Sequence, residues 1–318
     1  MTFGKDRVIS NFVNDKKMAM RILLVLLLAG ILASCGSGKK PDEQAFLNTL
    51  DSAKNQGATI DEAVISSILQ QIPSPLEISV LLKESGTKYN SSILNTPDNL
   101  PKYNNNYKKA LNLGIYGTDL GYTNIYEQNQ DGIKYLTSIK SLADGLNIGQ
   151  FFDIETIGRL ATNSKNLDSL LLITTQNFND INSYLQAQSR ANLSVLLLTG
   201  GWIEAMQITC QVASKNPQNK ELQEKVGEQK IILENIMLLL SFYKDTDENM
   251  ASLLKDLEEL KSAYDKINIV YTYKESTMEI VNGVAEIKDN STTTIQITEQ
   301  DVNNIKTITE SIRTKITS

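Results

Sequence analysis

Residues 190–213, RANLSVLLLTGGWIEAMQITCQVA, decide the architecture. Wound at about 3.6 residues per turn, this run is apolar nearly all round, with Glu204 as its one carboxylate. A helix of that kind has no solvent face to offer, so it must be buried on most sides. The run therefore predicts a central helix wrapped by other elements.

Its flanks supply the wrapping. Leu167, Leu170, Leu171, Thr174, Phe178, Ile181 and Leu185 recur at spacings of three and four, one stripe of an amphipathic helix. Residues 220–243 place Leu222, Val226, Leu233, Ile236, Met237 and Leu240 on one side, with Glu and Lys on the other. Leu253, Leu257, Leu260, Tyr264 and Ile267 repeat the 4-3-4-3 spacing of a bundle seam. Asp245–Asn249 reads as the turn and helix start between those two antiparallel neighbours. Upstream, residues 101–146 predict two longer helices with a break near Gln128–Asp131, the second closed by Asn147–Gly149. Shorter helices are expected over Glu43–Lys54, Asp61–Gln71, Pro75–Lys83 and from Asp153 to Thr162.

The period changes near Asn268. Ile267–Tyr273 is rich in β-branched and aromatic residues, and Asn282-Gly283 stands between two apolar pairs. Both turn positions tolerate positive φ, so a tight hairpin is expected there, with a further strand over Thr292–Ile297. Thr298, with Asp301 three residues on, caps a final helix through Val302, Ile305, Ile308, Ile312 and Ile316. The fold class is mainly α: a multi-helix bundle with a small β-hairpin element before the last helix. Residues 46–318 form one helical domain, with the β insertion near 268–297.

Several side chains stand out against this pattern. Gly114, Gly117 and Gly121 fall on one helix face, and glycine inside a helix costs about 0.5–1 kcal/mol relative to alanine. Close helix packing explains such a strip, with Gly200-Gly201-Trp202 as its partner. A ligand groove formed by Gly114, Gly117, Gly121, Asp119, Trp202 and Glu204 is the sharper alternative. Asp119, Glu155 and Glu204 are carboxylates in apolar helical stretches, where an unpaired charge is expensive. Arg159, Arg190 or tyrosine hydroxyls are the expected partners, and acid/base work the alternative if two of them meet in a cavity. The pairs Tyr103/Tyr107 and Tyr122/Tyr126 read as core edge rather than a sugar platform.

Composition removes whole classes. With His 0, the chain cannot build a Ser-His-Asp or Cys-His site or a histidine-ligated zinc. Gly36–Lys39 lacks the spacing of a phosphate loop, and Asp245–Asn249 lacks the central Gly and distal Glu of a calcium loop. No catalytic residue, metal site or cofactor is expected.

The N-terminal region reads differently. Lys16, Lys17 and Arg21 precede residues 22–33, ILLVLLLAGILA, an uncharged run of 12 residues. That is the length of an export-signal core and short of the ~20 residues a transmembrane helix needs. Met18 and Met20 offer alternative starts. Leu32-Ala33-Ser34-Cys35 then resembles the lipobox of bacterial lipoproteins over all four positions. The resemblance implies a signal peptide over 1–34, cleavage before Cys35, and acylation (palmitate and related chains) of that residue. It also implies membrane attachment through the lipid on Cys35, since several chains anchor durably where one does not. Residues 35–45 read as a flexible tether. In lipoproteins of two-membrane bacteria an aspartate after the lipidated cysteine favours the inner membrane. Gly36 stands there instead, so the outer membrane is expected, facing the periplasm or the cell surface.

Residues 1–34 hold five basic and two acidic side chains, so the remaining 284 residues keep 26 basic and 35 acidic, a formal −9. An acidic body is a poor partner for phosphate backbones, and no nucleic acid is expected. With Cys35 lipidated, Cys210 is the one remaining thiol, and its place in an apolar run predicts a small buried hydrophobe.

Through residues 72–76, IPSPL, and 111–119, LNLGIYGTD, the body also resembles uncharacterised helical lipoproteins of two-membrane bacteria. That resemblance implies no activity. The leading expectation is a non-enzymatic scaffold or binding protein that contacts another envelope component. A small-molecule or lipid-binding bundle and a carboxylate-based enzyme are the alternatives.

Overall fold

The computed structural model describes residues 68, 82–83, 86–152, 167–281, 284–288 and 290–318. The chain divides into two compact units, residues 1–59 and 60–318, and every described residue lies in the second. The expected helices over Glu43–Lys54 and Asp153–Thr162 fall outside the described residues. Those over Asp61–Gln71 and Pro75–Lys83 do so except at Ile68, Leu82 and Lys83, all helical.

The described part is a helical bundle. Its helices are α1 (Asn106–Ile125), α2 (Asn129–Gly145), α3 (Leu167–Ala187), α4 (Ala191–Lys215), α5 (Lys220–Ser241), α6 (Glu248–Tyr264) and α7 (Glu299–Thr317). The starts follow side-chain chemistry. Asn105 accepts from the Lys108 amide at 2.8 Å, Asn219 from Leu222 at 3.1 Å, and Asp247 from Asn249 and Met250. Each satisfies donors that the first turn leaves without partners. Thr298 and Asp301 form the expected capping box on α7: the Thr298 amide donates to Asp301 Oδ2 at 3.0 Å and the Asp301 amide to Thr298 Oγ1 at 3.2 Å. Just past α2, Asn147 has a φ of 57°, a left-handed conformation that asparagine tolerates.

Helix α4 is the hub, packed against α1, α7, α5 and α3. By length and composition it could cross a bilayer, with a mean hydropathy of 1.3, yet 94% of that apolar window is buried inside the fold. It is a core helix. Trp202, Ile203, Met206 and Cys210 fill the centre, and the stripes of α5, α6 and α7 close over them through Leu233, Leu257, Ile305 and Ile312.

Before α7 the chain leaves the bundle as a two-stranded arm. Strand β1 (Asn268–Thr272) pairs antiparallel with β4 (Thr292–Gln296), and β2 (Thr277–Val281) with β3 (Val284–Lys288). The hairpin expected at Asn282-Gly283 is present in its flanking strands, with Val281 opposite Val284. Four residues join β1 to β2, while three join β3 to β4, so the two ladders are offset by one residue. An extra residue on one strand breaks the pairing and re-aims the strand beyond it, as a bulge does. The arm is seated at its base: a Cβ on Gly227 of α5 would lie 2.5 Å from Ile295 of β4, so only glycine admits that approach.

Candidate functional site

Glycine brings the two candidate carboxylates together. A side chain at Gly114 of α1 would collide with the Leu197 carbonyl of α4, and one at Gly200 with the Leu111 carbonyl. The two backbones therefore touch, and Thr118 Oγ1 reaches the Gly201 carbonyl at 3.0 Å. One turn further along each helix, Asp119 and Glu204 come within hydrogen-bonding reach of each other. Both are fully buried.

Helix α7 supplies the counter-charge. Arg313 Nε donates to Glu204 Oε2 at 2.5 Å and Nη2 to Oε1 at 2.7 Å, a bidentate fork, and Nη2 also reaches the Ile93 carbonyl at 3.3 Å. Of the arginines expected as partners, Arg190 instead donates to the Leu146 carbonyl at 2.7 Å, and Arg159 lies outside the described residues.

Two buried carboxyls share one cation, so a proton must make up the difference. It belongs on Asp119. Glu204 holds the guanidinium, while Asp119 Oδ2 receives one amide, from Asn95 at 3.2 Å, and Oδ1 accepts from no donor. Burial, and then the Glu204 charge, push the Asp119 carboxyl well above the usual range. Protonated, its hydroxyl donates to Glu204, and the cluster is neutral as a unit: acid, carboxylate and guanidinium.

A strap over residues 87–104, with 3-10 turns at Ser91–Ile93 and Pro97–Lys102, seals this cluster. Asn95 Nδ2 donates to Tyr103 Oη at 3.0 Å, and Asn99 Nδ2 to Asn95 Oδ1 at 2.8 Å. Asn112 Nδ2 reaches the Ile316 carbonyl at 3.1 Å, and Tyr116 Oη donates to the Thr96 carbonyl at 3.0 Å. Strap, α1 and the end of α7 are thus sewn together by polar side chains that all find partners indoors. Near the end of α1, Tyr89 stacks on Tyr122 and Tyr126 lies tilted against both, with Tyr89 Oη donating to Asp131 Oδ2 at 2.9 Å.

The remaining candidates do not converge on one site. The glycine strip is occupied at Gly114 by the α4 backbone, exposed at Gly117 with open space above it, and buried at Gly121. Trp202 is buried and donates from Nε1 to Gln229 Oε1 at 3.0 Å. Cys210 is buried, and burial pushes its thiol up to about 12, so it is no nucleophile at neutral pH. Cys35 and Glu155 lie outside the described residues. Among the described residues no cluster of three or more acidic or cysteine side chains is arranged to hold a metal.

One feature has no signature in the sequence pattern, a polar cleft of about 440 Å³ where the starts of α1, α4 and α6 converge. Asn105, Arg190, Asn192, Asp247 and Asn249 line it. No family model, curated protein or solved structure matches this chain.

Proposed function

We propose that this chain is a lipid-anchored protein of the bacterial cell envelope, held at the outer membrane by acyl chains on Cys35. Its helical body is a non-enzymatic scaffold or binding module for another envelope component. The anchor rests on Leu32-Ala33-Ser34-Cys35 behind an apolar run of export-signal length. The observation that carries the body's part is the closure of Asp119 and Glu204. Two carboxylates used for acid/base work need access to a substrate, whereas these are fully buried and spent on Arg313 and on each other. Growth of an expressing two-membrane bacterium with an alkyne fatty acid tests the anchor. The reading expects label on the wild-type chain and none on Cys35→Ser; label on both, or on neither, counts against it.

A small-ligand reading has one observation in its favour, the cleft lined by Asn105, Asn192 and Asn249. A panel of polar metabolites that raises the melting temperature of the full chain, with the shift lost in Asn192→Leu, supports that reading. A flat response across the panel removes it.

A further inference from the structure

We infer that the strap over residues 87–104 is a proton-controlled cover: it stays closed while Asp119 holds its proton and lifts, ahead of the helices, when that proton leaves. The inference goes beyond the anchored-scaffold reading and does not rest on it. Asp119, Glu204 and Arg313 make a neutral unit only with the proton in place. Without it, two carboxylates within hydrogen-bonding reach share one guanidinium, and Asp119 Oδ1 has no donor to turn to. Like charges so close in a dry site must be hydrated or parted.

The groups that face Asp119 offer no other relief. Glu204 of α4 adds negative charge, and Arg313 of α7 is already engaged by Glu204. Tyr89 and Tyr103 of the strap, Tyr116 of α1 and Tyr135 of α2 are all held above the usual tyrosine value, chiefly by burial, and stay neutral. Water has to come in.

The strap is the element that yields first. Helices α1 and α4 are locked backbone to backbone at Gly114 and Gly200, and the Glu204–Arg313 fork ties α4 to α7. Among its apolar side chains the strap buries only Leu94 and Tyr103. Single hydrogen bonds hold much of the rest: the Asn90 amide to Tyr122 Oη at 3.2 Å, and the Thr96 carbonyl to Tyr116 Oη at 3.0 Å. Two more end on the cluster itself, the Asn95 amide on Asp119 Oδ2 at 3.2 Å and the Ile93 carbonyl on Arg313 Nη2 at 3.3 Å. Segments with few buried apolar contacts open locally before the whole fold does. The Arg313 side chain also keeps 15% exposure against 0% for Glu204, so the cluster already borders solvent at its guanidinium. Lifting the strap uncovers the α1 face that carries Asn112, Tyr116 and Asp119, a polar surface hidden in the closed state.

Opening releases one proton. The open fraction therefore rises with pH by up to about tenfold per unit, from the ordinary Asp value of 3.8 to the raised native one, and levels off above it. The chain has no histidine, so no side chain at its ordinary value titrates across neutral pH in competition.

The test is hydrogen exchange by mass spectrometry on the full chain in detergent, at about pH 5 to 8, with rates corrected for intrinsic exchange. Peptides over residues 88–96 report the strap, and peptides over 203–212 the core of α4. In the wild type, strap protection should lie at least tenfold below that of α4 at every pH and fall at least tenfold across the range. Asp119→Asn should keep that order and lose the slope. Asp119→Leu, which also has no proton to release, should do the same and serves if the amide variant does not fold. Strap protection equal to that of α4, strap protection independent of pH in the wild type, or a slope that survives the loss of Asp119 would each overturn the inference.

Discussion

Arg313, on the last helix, closes both arms of its guanidinium on Glu204, a residue 109 positions earlier in the central helix. That contact fixes where α7 lies against α4, and Asp119 completes it by contributing a proton instead of a charge. The two carboxyls therefore hold different states in one pocket, and substitution should separate them.

Glu204→Gln leaves the guanidinium without its counter-ion in a largely buried site. Breaking a buried pair from one side costs about 3–5 kcal/mol. Asp119→Asn keeps the shape of the protonated acid and a donor toward Glu204, so its cost should stay within about 1 kcal/mol. Chemical denaturation of both variants checks the contrast. Equal losses would mean that Asp119 is ionised.

The same assignment fixes a pH dependence. The folded state raises the Asp119 carboxyl above its ordinary value of 3.8, so the native chain binds that proton more tightly than the unfolded chain does. The contribution is fully present below about pH 4 and is lost as pH rises through the native value. Asp119→Asn removes this slope. The stability of the variant relative to wild type should therefore climb with pH from about 4 upward, as read by urea midpoints across a pH series; parallel curves would contradict it.

Glycines on one strip should answer oppositely. Gly114→Val sets a branched side chain against the α4 backbone, which cannot rotate away, and should cost more than the about 1–3 kcal/mol of ordinary overpacking. Gly117→Ala meets open space on an exposed helical turn and should stabilise by about 0.5–1 kcal/mol. Thermal unfolding of the two variants decides it, and a destabilised Gly117→Ala would show that the strip is covered along its whole length.

The bundle was legible because its signals are local. Stripes at three and four residues marked the helices, Asn282-Gly283 marked the hairpin, and Thr298 with Asp301 marked the last helix start. Asp119 and Glu204 were visible as charges in apolar company, and the glycines as a close contact. Their meeting was not visible, since it depends on two helices crossing at Gly114 and Gly200. Arg313 was missed although a signal existed: it sits beside Ile312 and Ile316 on the apolar side of α7, where a cation needs a reason. The strap had no periodicity to read. Its structure comes from Asn95, Asn99 and Tyr103 bonding to groups distant in sequence, and no spacing rule encodes that.

Lipid on Cys35 is the claim on which the envelope reading depends, and intact mass spectrometry of the natively expressed chain tests it most directly. The account predicts a mature protein that begins at Cys35 and carries the added mass of acyl chains on that residue. A chain that begins elsewhere, or that has an unmodified thiol at position 35, would contradict it.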